Sequence, residues 1–200
     1  MRINYTAIIL AAGYSSRMGR FKPLLPIAGK RAVVQVIDRF RAAGIEDILV
    51  VTGHNAAELT RRLLPHPVRT VYNPDHESGM YSSIRAGCAA LDEQADAFFI
   101  APVDTPLFDP STVKWLAQDY AAYGKGIVLP SHQRKCGHPT LISAKYAAEI
   151  LAGQPPGGLR DLLRAHRADT HFCAVDDPGI LLDMDDMEGY GTLLQYCATR

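Results

Sequence analysis

The residues able to do chemistry fall into a few short stretches of the 200-residue chain. In the first, Leu10, Ala11, Ala12 and Gly13 lead through Ser15 and Ser16 to Arg17, Gly19 and Lys22. Glycines there let backbone N–H groups approach an anion closely. Arg17 adds a planar fork for phosphate oxygens, and Lys22 adds a point charge. One residue too many separates Gly13 from Gly19 for a Walker A loop, and Lys22 precedes Pro23 instead of Ser or Thr. A dinucleotide G-x-G-x-x-G is excluded because position 15 is Ser. The stretch therefore reads as a glycine-rich phosphate loop of neither standard type, or as an ordinary strand-to-helix connection with surface bases. In the second, Asp104 stands between Pro102 and Pro106. A carboxylate in a turn stiffened by prolines suits a hard cation. In the third, Asn73 and Gly79 precede Ser82 and Ser83. Their small polar groups can serve a base or ribose, or simply form a turn into an N-capped helix. His138, on its own, is more often a structural histidine than a functional one.

Charge is divided unevenly along the chain. The 21 basic and 21 acidic residues cancel. From Met1 to Ile37, however, the charged residues are all basic: Arg2, Arg17, Arg20, Lys22, Lys30 and Arg31. From Ala168 to Thr199 they are all acidic, ending with Asp183, Asp185, Asp186 and Glu188. These blocks suit an anionic ligand and a hard cation respectively, or they are two surfaces that neutralise each other. Balanced charge with no basic stripe interleaved by aromatics argues against nucleic acid. Cys88, Cys136, Cys173 and Cys197 are widely spaced with no C-x-x-C, which predicts reduced thiols and no structural zinc. No apolar run is long enough to cross a membrane, and the one at Ala7–Ala12 is too short for a secretory signal. The expectation is a single domain over residues 1–200, intracellular and cytoplasmic, with no membrane partner.

The elements that must position these residues alternate in type. Apolar runs at Tyr5–Leu10, Asp47–Thr52, Val68–Tyr72 and Ala97–Ala101 predict strands, the last broken by Pro102. Short strands at Ile127–Leu129 and Thr140–Ile142 flank a polar loop over Ser131–Gly137. Helical spacing places helices around Val33–Phe40, Ser82–Leu91 and Val113–Tyr120, and one running from an Asn55 cap to Leu64. Two further helices near 144–151 and 158–166, a strand near 170–175 and a helix from about 187 finish the chain. Strand–helix alternation predicts an α/β fold, a Rossmann-like three-layer αβα sandwich with a mostly parallel sheet. Ligands then bind at the carboxyl ends of the strands, where the first loop, Asn73–Ser83 and Asp104 all fall.

Leu10-Ala11-Ala12-Gly13, Ser16-Arg17-Met18-Gly19 and Lys22 closely resemble the L-A-A-G-x-S-x-R-M-G-x-x-K signature of nucleotidyltransferases related to molybdenum cofactor cytidylyltransferase. The resemblance runs in blocks along nearly the whole chain and implies the nucleotide-diphospho-sugar transferase type of fold. It implies nucleotide binding by Leu10, Ala11, Ala12, Gly13, Arg17, Gly19, Lys22, Asn73, Gly79, Ser82 and Ser83, with Arg17, Lys22 and Asp104 catalytic. Asp104 corresponds to the family's Mg²⁺-binding Asp, and the segment around Asp183 resembles its D-I-D-T-P-E-D-Y. Asp104 and Asp183 would then hold Mg²⁺, with Asp185 as the competing second ligand or an acceptor contact. Asp186-Met187 replaces the family's Thr-Pro, and Asp186 can instead be an N-cap. Gly137-His138-Pro139 resembles a family block on the acceptor side, and Arg160 falls near another, G-D-x-G-x-R, whose Asp is missing here.

The resemblance implies transfer of a nucleoside monophosphate, CMP from CTP, to a phosphate-bearing acceptor such as molybdopterin cofactor, with release of pyrophosphate. A molybdoenzyme or its chaperone would receive the product. A phosphate nucleophile is already ionised near neutral pH, so no general base is needed, and catalysis is positioning plus electrostatics. The alternatives are GTP as donor, a sugar or alcohol phosphate as acceptor, and a non-catalytic nucleotide-binding regulator.

Overall fold

The structure is a computed structural model that describes residues 3–199. Arg2, one of the six bases of the amino-terminal block, lies outside that range. The chain runs β1 (Tyr5–Leu10), β2 (Pro26–Ile27), β3 (Lys30–Arg31), α1 (Ala32–Ala42), β4 (Asp47–Thr52), α2 (Ala56–Leu63) and β5 (Arg69–Tyr72). It continues α3 (Met80–Ala89), β6 (Ala97–Pro102), α4 (Pro110–Tyr123), β7 (Ile127–His132), β8 (Lys135–Cys136) and β9 (Thr140–Ser143). It ends α5 (Ala147–Ala152), α6 (Leu159–Ala165), β10 (Thr170–Ala174) and α7 (Met187–Ala198).

One twisted sheet carries the order β10-β7-β9-β6-β1-β4-β5, with β8 added to β7. Neighbours along that order pair in parallel except at β9, which runs antiparallel to both β6 and β7, and β8 runs antiparallel to β7. The central strands are apolar along their length because both faces are covered. Successive side chains alternate between two cores. Ala7, Ile9 and Ala11 join Phe40, Phe99 and Phe108 on one face, beneath α1, α4 and α7. Ile8, Leu10 and Ala12 join Ile84, Phe98 and Ile150 on the other, beneath α3, α5 and α6. The Phe40 ring lies 5.6 Å from Phe99 and 5.2 Å from Phe108, and burying each such ring contributes about 1.5–3 kcal/mol. This is the expected three-layer arrangement.

Register puts the ligand-facing ends level. Leu10 pairs with Val51 on one side and with Pro102 on the other, and Thr52 pairs with Tyr72. The segments starting at Ala11, Gly53, Asn73 and Val103 therefore emerge along one edge.

Three local expectations need correction. Pro102 does not break β6. It closes the strand, because Leu10 is its register partner and Val103 supplies the next donor, to Leu10 C=O at 3.1 Å. Asn55 precedes α2 with φ 53° and makes no side-chain cap. The polar loop at Ser131–Gly137 is a hairpin in which β7 extends to His132 and pairs with β8.

Candidate active site

The first loop is held by a few anchors. Ser15 takes a left-handed conformation (φ 57°), and a single helical turn at Ser16–Met18 follows. Met18 is its one buried side chain, and Ser15 Oγ accepts the Lys22 N–H at 3.1 Å. A second helical turn at Lys22–Leu24, with Pro23 in it, turns Lys22 back across the strand ends. The Lys22 ammonium lies 2.9 Å from Asp185 Oδ1 and 3.7 Å from Asp104 Oδ2. Its side chain is only 12% exposed. Arg17 reaches the other oxygen of Asp185 at 3.1 Å from a far more open position.

Asp104 follows β6 and is tied to the acidic segment through its backbone, where Met184 N–H donates to its C=O at 3.0 Å. Burial pushes its carboxyl above the ordinary carboxylate range, and Asp185 and Asp183 add to that, while Lys22 opposes it. Hydrogen bonding and charge from Lys22, with help from Arg17, hold Asp185 below the ordinary range. Lys22 thus serves Asp185 first and only partly offsets the effect of burial and neighbouring carboxylates on Asp104. Among the described residues, no three His, Cys, Asp or Glu side chains gather into a metal cage. Asp104 and Asp183 are hard oxygen donors on one cavity, which fits a divalent ion bound by one or two carboxylates and completed by substrate phosphates.

Two cavities meet here. The smaller, about 370 Å³, is bordered by Ser15, Arg17, Lys22, Asp104 and Asp185. The larger, about 940 Å³, extends past Tyr81, Leu129 and Ile180 to Arg160. Met80, Pro102, Thr105, His138 and Asp183 line both. Gly79 borders the larger and starts α3 at φ 95°, a conformation that favours glycine. A further cavity of about 710 Å³ lies at the opposite ends of the strands, around Asn4, Asp47 and Arg69, away from every predicted site residue.

The structure therefore brings Arg17, Lys22, Asp104, Asp183, Asp185 and His138 together, with Arg160 across the larger cavity. Asp185 sits with the cations of the smaller cavity and does not line the larger. Asn73, Ser82 and Ser83 line neither cavity. All three are buried, and Asn73 Nδ2 donates to Ser82 Oγ at 2.8 Å and to Ser83 Oγ at 3.0 Å. Leu10, Ala11 and Ala12 are also buried, with Ala11 N–H given to Val51 and Ala12 C=O accepting from His54. Gly13 and Gly19 lie in the exposed part of the loop. His138 is wedged beside Ile180, its Nδ1 buried without a partner, and burial holds its pKa down at about 4. Asp186 caps α7 by accepting the Gly189 N–H at 2.9 Å. Sequence reasoning misses Thr105 and Asp161. The Asp161 carboxylate accepts Gly157 N–H at 2.7 Å, within the turn whose expected Asp is missing.

The sequence matches the profile described as the MobA-like NTP transferase domain over residues 7–170. The chain belongs to that family. It is 26% identical over 186 residues to the molybdenum cofactor cytidylyltransferase of Escherichia coli K12, covering 92% of this chain and 93% of that enzyme. It is 35% identical over 147 residues to a Paenarthrobacter nicotinovorans protein named nicotine blue oxidoreductase, covering 70% and 71%. Among solved structures, Rv0371c of Mycobacterium tuberculosis H37Rv superposes with a TM-score of 0.86 at 25% identity, covering 98% of this chain and 99% of that one. Another structure of Rv0371c is described as a complex with manganese. As a MobA-like NTP transferase the chain is a nucleotidyltransferase. None of the described helices is long and apolar enough to cross a membrane.

Proposed function

We propose that this chain transfers CMP from CTP to a phosphate-bearing acceptor, molybdopterin cofactor, releasing pyrophosphate, and that it does so as one nucleotidyltransferase domain. The observation that carries the reading is the wall shared by the two cavities. The smaller cavity holds the cations a triphosphate needs, and the larger has the volume for an organic acceptor. Reaction at the α-phosphorus requires both substrates to meet along Met80, Thr105, His138 and Asp183.

In this reading Lys22 and Arg17 release Asp185 and bind triphosphate oxygens, stabilising charge that develops on departing pyrophosphate. Asp104 and Asp183 would hold a divalent ion, Mg²⁺, which would supply neutralising charge to phosphate oxygens. His138, kept neutral, and Arg160 face the acceptor, whose phosphate oxygen attacks in line without a general base. Asn73, Ser82 and Ser83 act as a knot that fixes the start of α3, and Gly79 and Met80 with it. The Ala11–Ala12 pair supports a pyrimidine. The Leu10-Ala11-Ala12-Gly13 run resembles that of the family's cytidylyl members, whereas guanylyl members tend to carry Gly in place of Ala12. The E. coli relative's name supports the donor and the acceptor alike.

The test is pyrophosphate release with Mg²⁺ from CTP, GTP, ATP and UTP, with and without molybdopterin cofactor. Release from CTP only with the cofactor is expected. GTP preference would overturn the reading of Ala12, and tight CTP binding with no release from any acceptor would favour a nucleotide-binding regulator. A second reading follows from the relative named as an oxidoreductase. It predicts oxidation or reduction of a substrate with no pyrophosphate formed.

A further inference from the structure

Tyr14 occupies the variable position of the first-loop signature, and its surroundings are unusually specific for a side chain 45% exposed. Its ring centroid lies 4.6 Å from that of His54 and 5.4 Å from that of His76. Its hydroxyl donates a hydrogen bond to the Glu77 carboxylate, which pushes the phenol pKa up and keeps it protonated. His54 follows β4, while His76 and Glu77 follow β5. One side chain of the β1 loop is thus fastened to the loops of the next two strands.

Two further contacts complete the cluster. The Phe21 ring, at the far end of the first loop, stands edge-on to His54 at 6.1 Å. Gly53 allows the close approach: a Cβ there would stand 2.6 Å from the Cβ of His76. Without Tyr14 the loop has few anchors. Gly13, Ser16, Arg17, Gly19 and Arg20 are exposed, and among the described residues the Arg17 side chain is tied only to Asp185, a contact that triphosphate must break.

We propose that Tyr14 is a positioning residue for the donor nucleotide, strapping the phosphate loop to the loops after β4 and β5 so that its shape survives the loss of the Arg17–Asp185 pair. The proposal rests on the reading of that loop as the triphosphate site. Preorganising a loop lowers the ordering entropy that binding must supply, so the effect falls on affinity and not on the chemical step. The strap lies outside both cavities and touches no reacting atom.

The experiment compares full-length wild type with Tyr14→Ala and Tyr14→Phe. Trypsin is applied without nucleotide, to read cleavage after Arg17 and Arg20; Lys22 is shielded by Pro23. Calorimetry then gives CTP affinity with Mg²⁺. Tyr14→Ala should be cut about tenfold faster and bind CTP about five- to tenfold more weakly, with an unchanged melting temperature. Tyr14→Phe keeps the ring contacts, loses the Glu77 bond and should fall between. At saturating CTP, kcat should stay within about twofold of wild type while KM for CTP rises. Equal cleavage rates would overturn the strap, and faster cleavage with unchanged CTP affinity would overturn the positioning role. If wild type binds CTP but releases no pyrophosphate with any acceptor, the transferase reading fails and this one stands, since it is read on binding alone.

Discussion

In the proposed reaction, Asp104 is the residue on which most of the chemistry converges. It carries a charge that burial and two neighbouring carboxylates make unfavourable, opposed by a lysine shared with Asp185. Asp104→Asn keeps the size and backbone of the turn, so the protein should fold normally while metal-dependent pyrophosphate release drops at least about a hundredfold. Near-normal turnover in a steady-state assay would remove Asp104 from the reaction. His138 makes a different prediction. Its folded pKa of about 4 lies below its ordinary 6.5, so between those values the unfolded chain takes up a proton that the folded one refuses. Stability is therefore full above about pH 6.5 and falls as the pH is lowered, by about 2 kcal/mol at pH 5. Denaturant titrations should show this slope in wild type and a flatter one in His138→Asn. The signature residues Arg17, Lys22 and Asp104 are legible in sequence because each sits at a fixed distance from a strand end. Asn73 is harder to read, because its partners Ser82 and Ser83 show only once α3 is folded back beside it.

Among the elements, β1 and β4 can be read from sequence to the residue, since a strand buried on both faces is a bare apolar run. The reversal of β9 cannot, because direction depends on how the hairpin after β7 docks beside β6. The aromatic cluster around Tyr14 is equally hidden, assembled from three loops with no shared sequence pattern. A buried carboxylate fixes another junction. Asp177 accepts Asp109 N–H at 2.6 Å, Thr112 Oγ1–H at 2.7 Å and Gly179 N–H at 2.9 Å, joining the segment before the acidic loop to the start of α4. Asp177→Ala strands all three donors and should lower unfolding free energy by about 2–4 kcal/mol, measured by chemical denaturation. Gly53→Ala should cost about 1–3 kcal/mol, since the new methyl meets Ala12 backbone as well as side chains. An unchanged melting temperature would mean that the three loops part more easily than their packing implies.

At the scale of the whole molecule, the basic beginning and acidic end of the chain meet at one point, where Asp185 lies between Arg17 and Lys22. Neither segment alone announces this, because the meeting depends on α7 and the segment before it returning to the first strand. In the proposed reaction this tethered carboxylate competes with every anion that arrives. On that reading inorganic phosphate, with less charge, displaces it poorly, whereas a triphosphate takes both cations at once. Replacing it in Asp185→Asn should make inorganic phosphate inhibit several-fold more strongly, measured as its inhibition constant against CTP. The same carboxylate is still waiting when pyrophosphate departs. In the proposed reaction, turnover then ends with the chain refilling its own site, Asp185 again paired with Arg17 and Lys22 before the next nucleotide arrives.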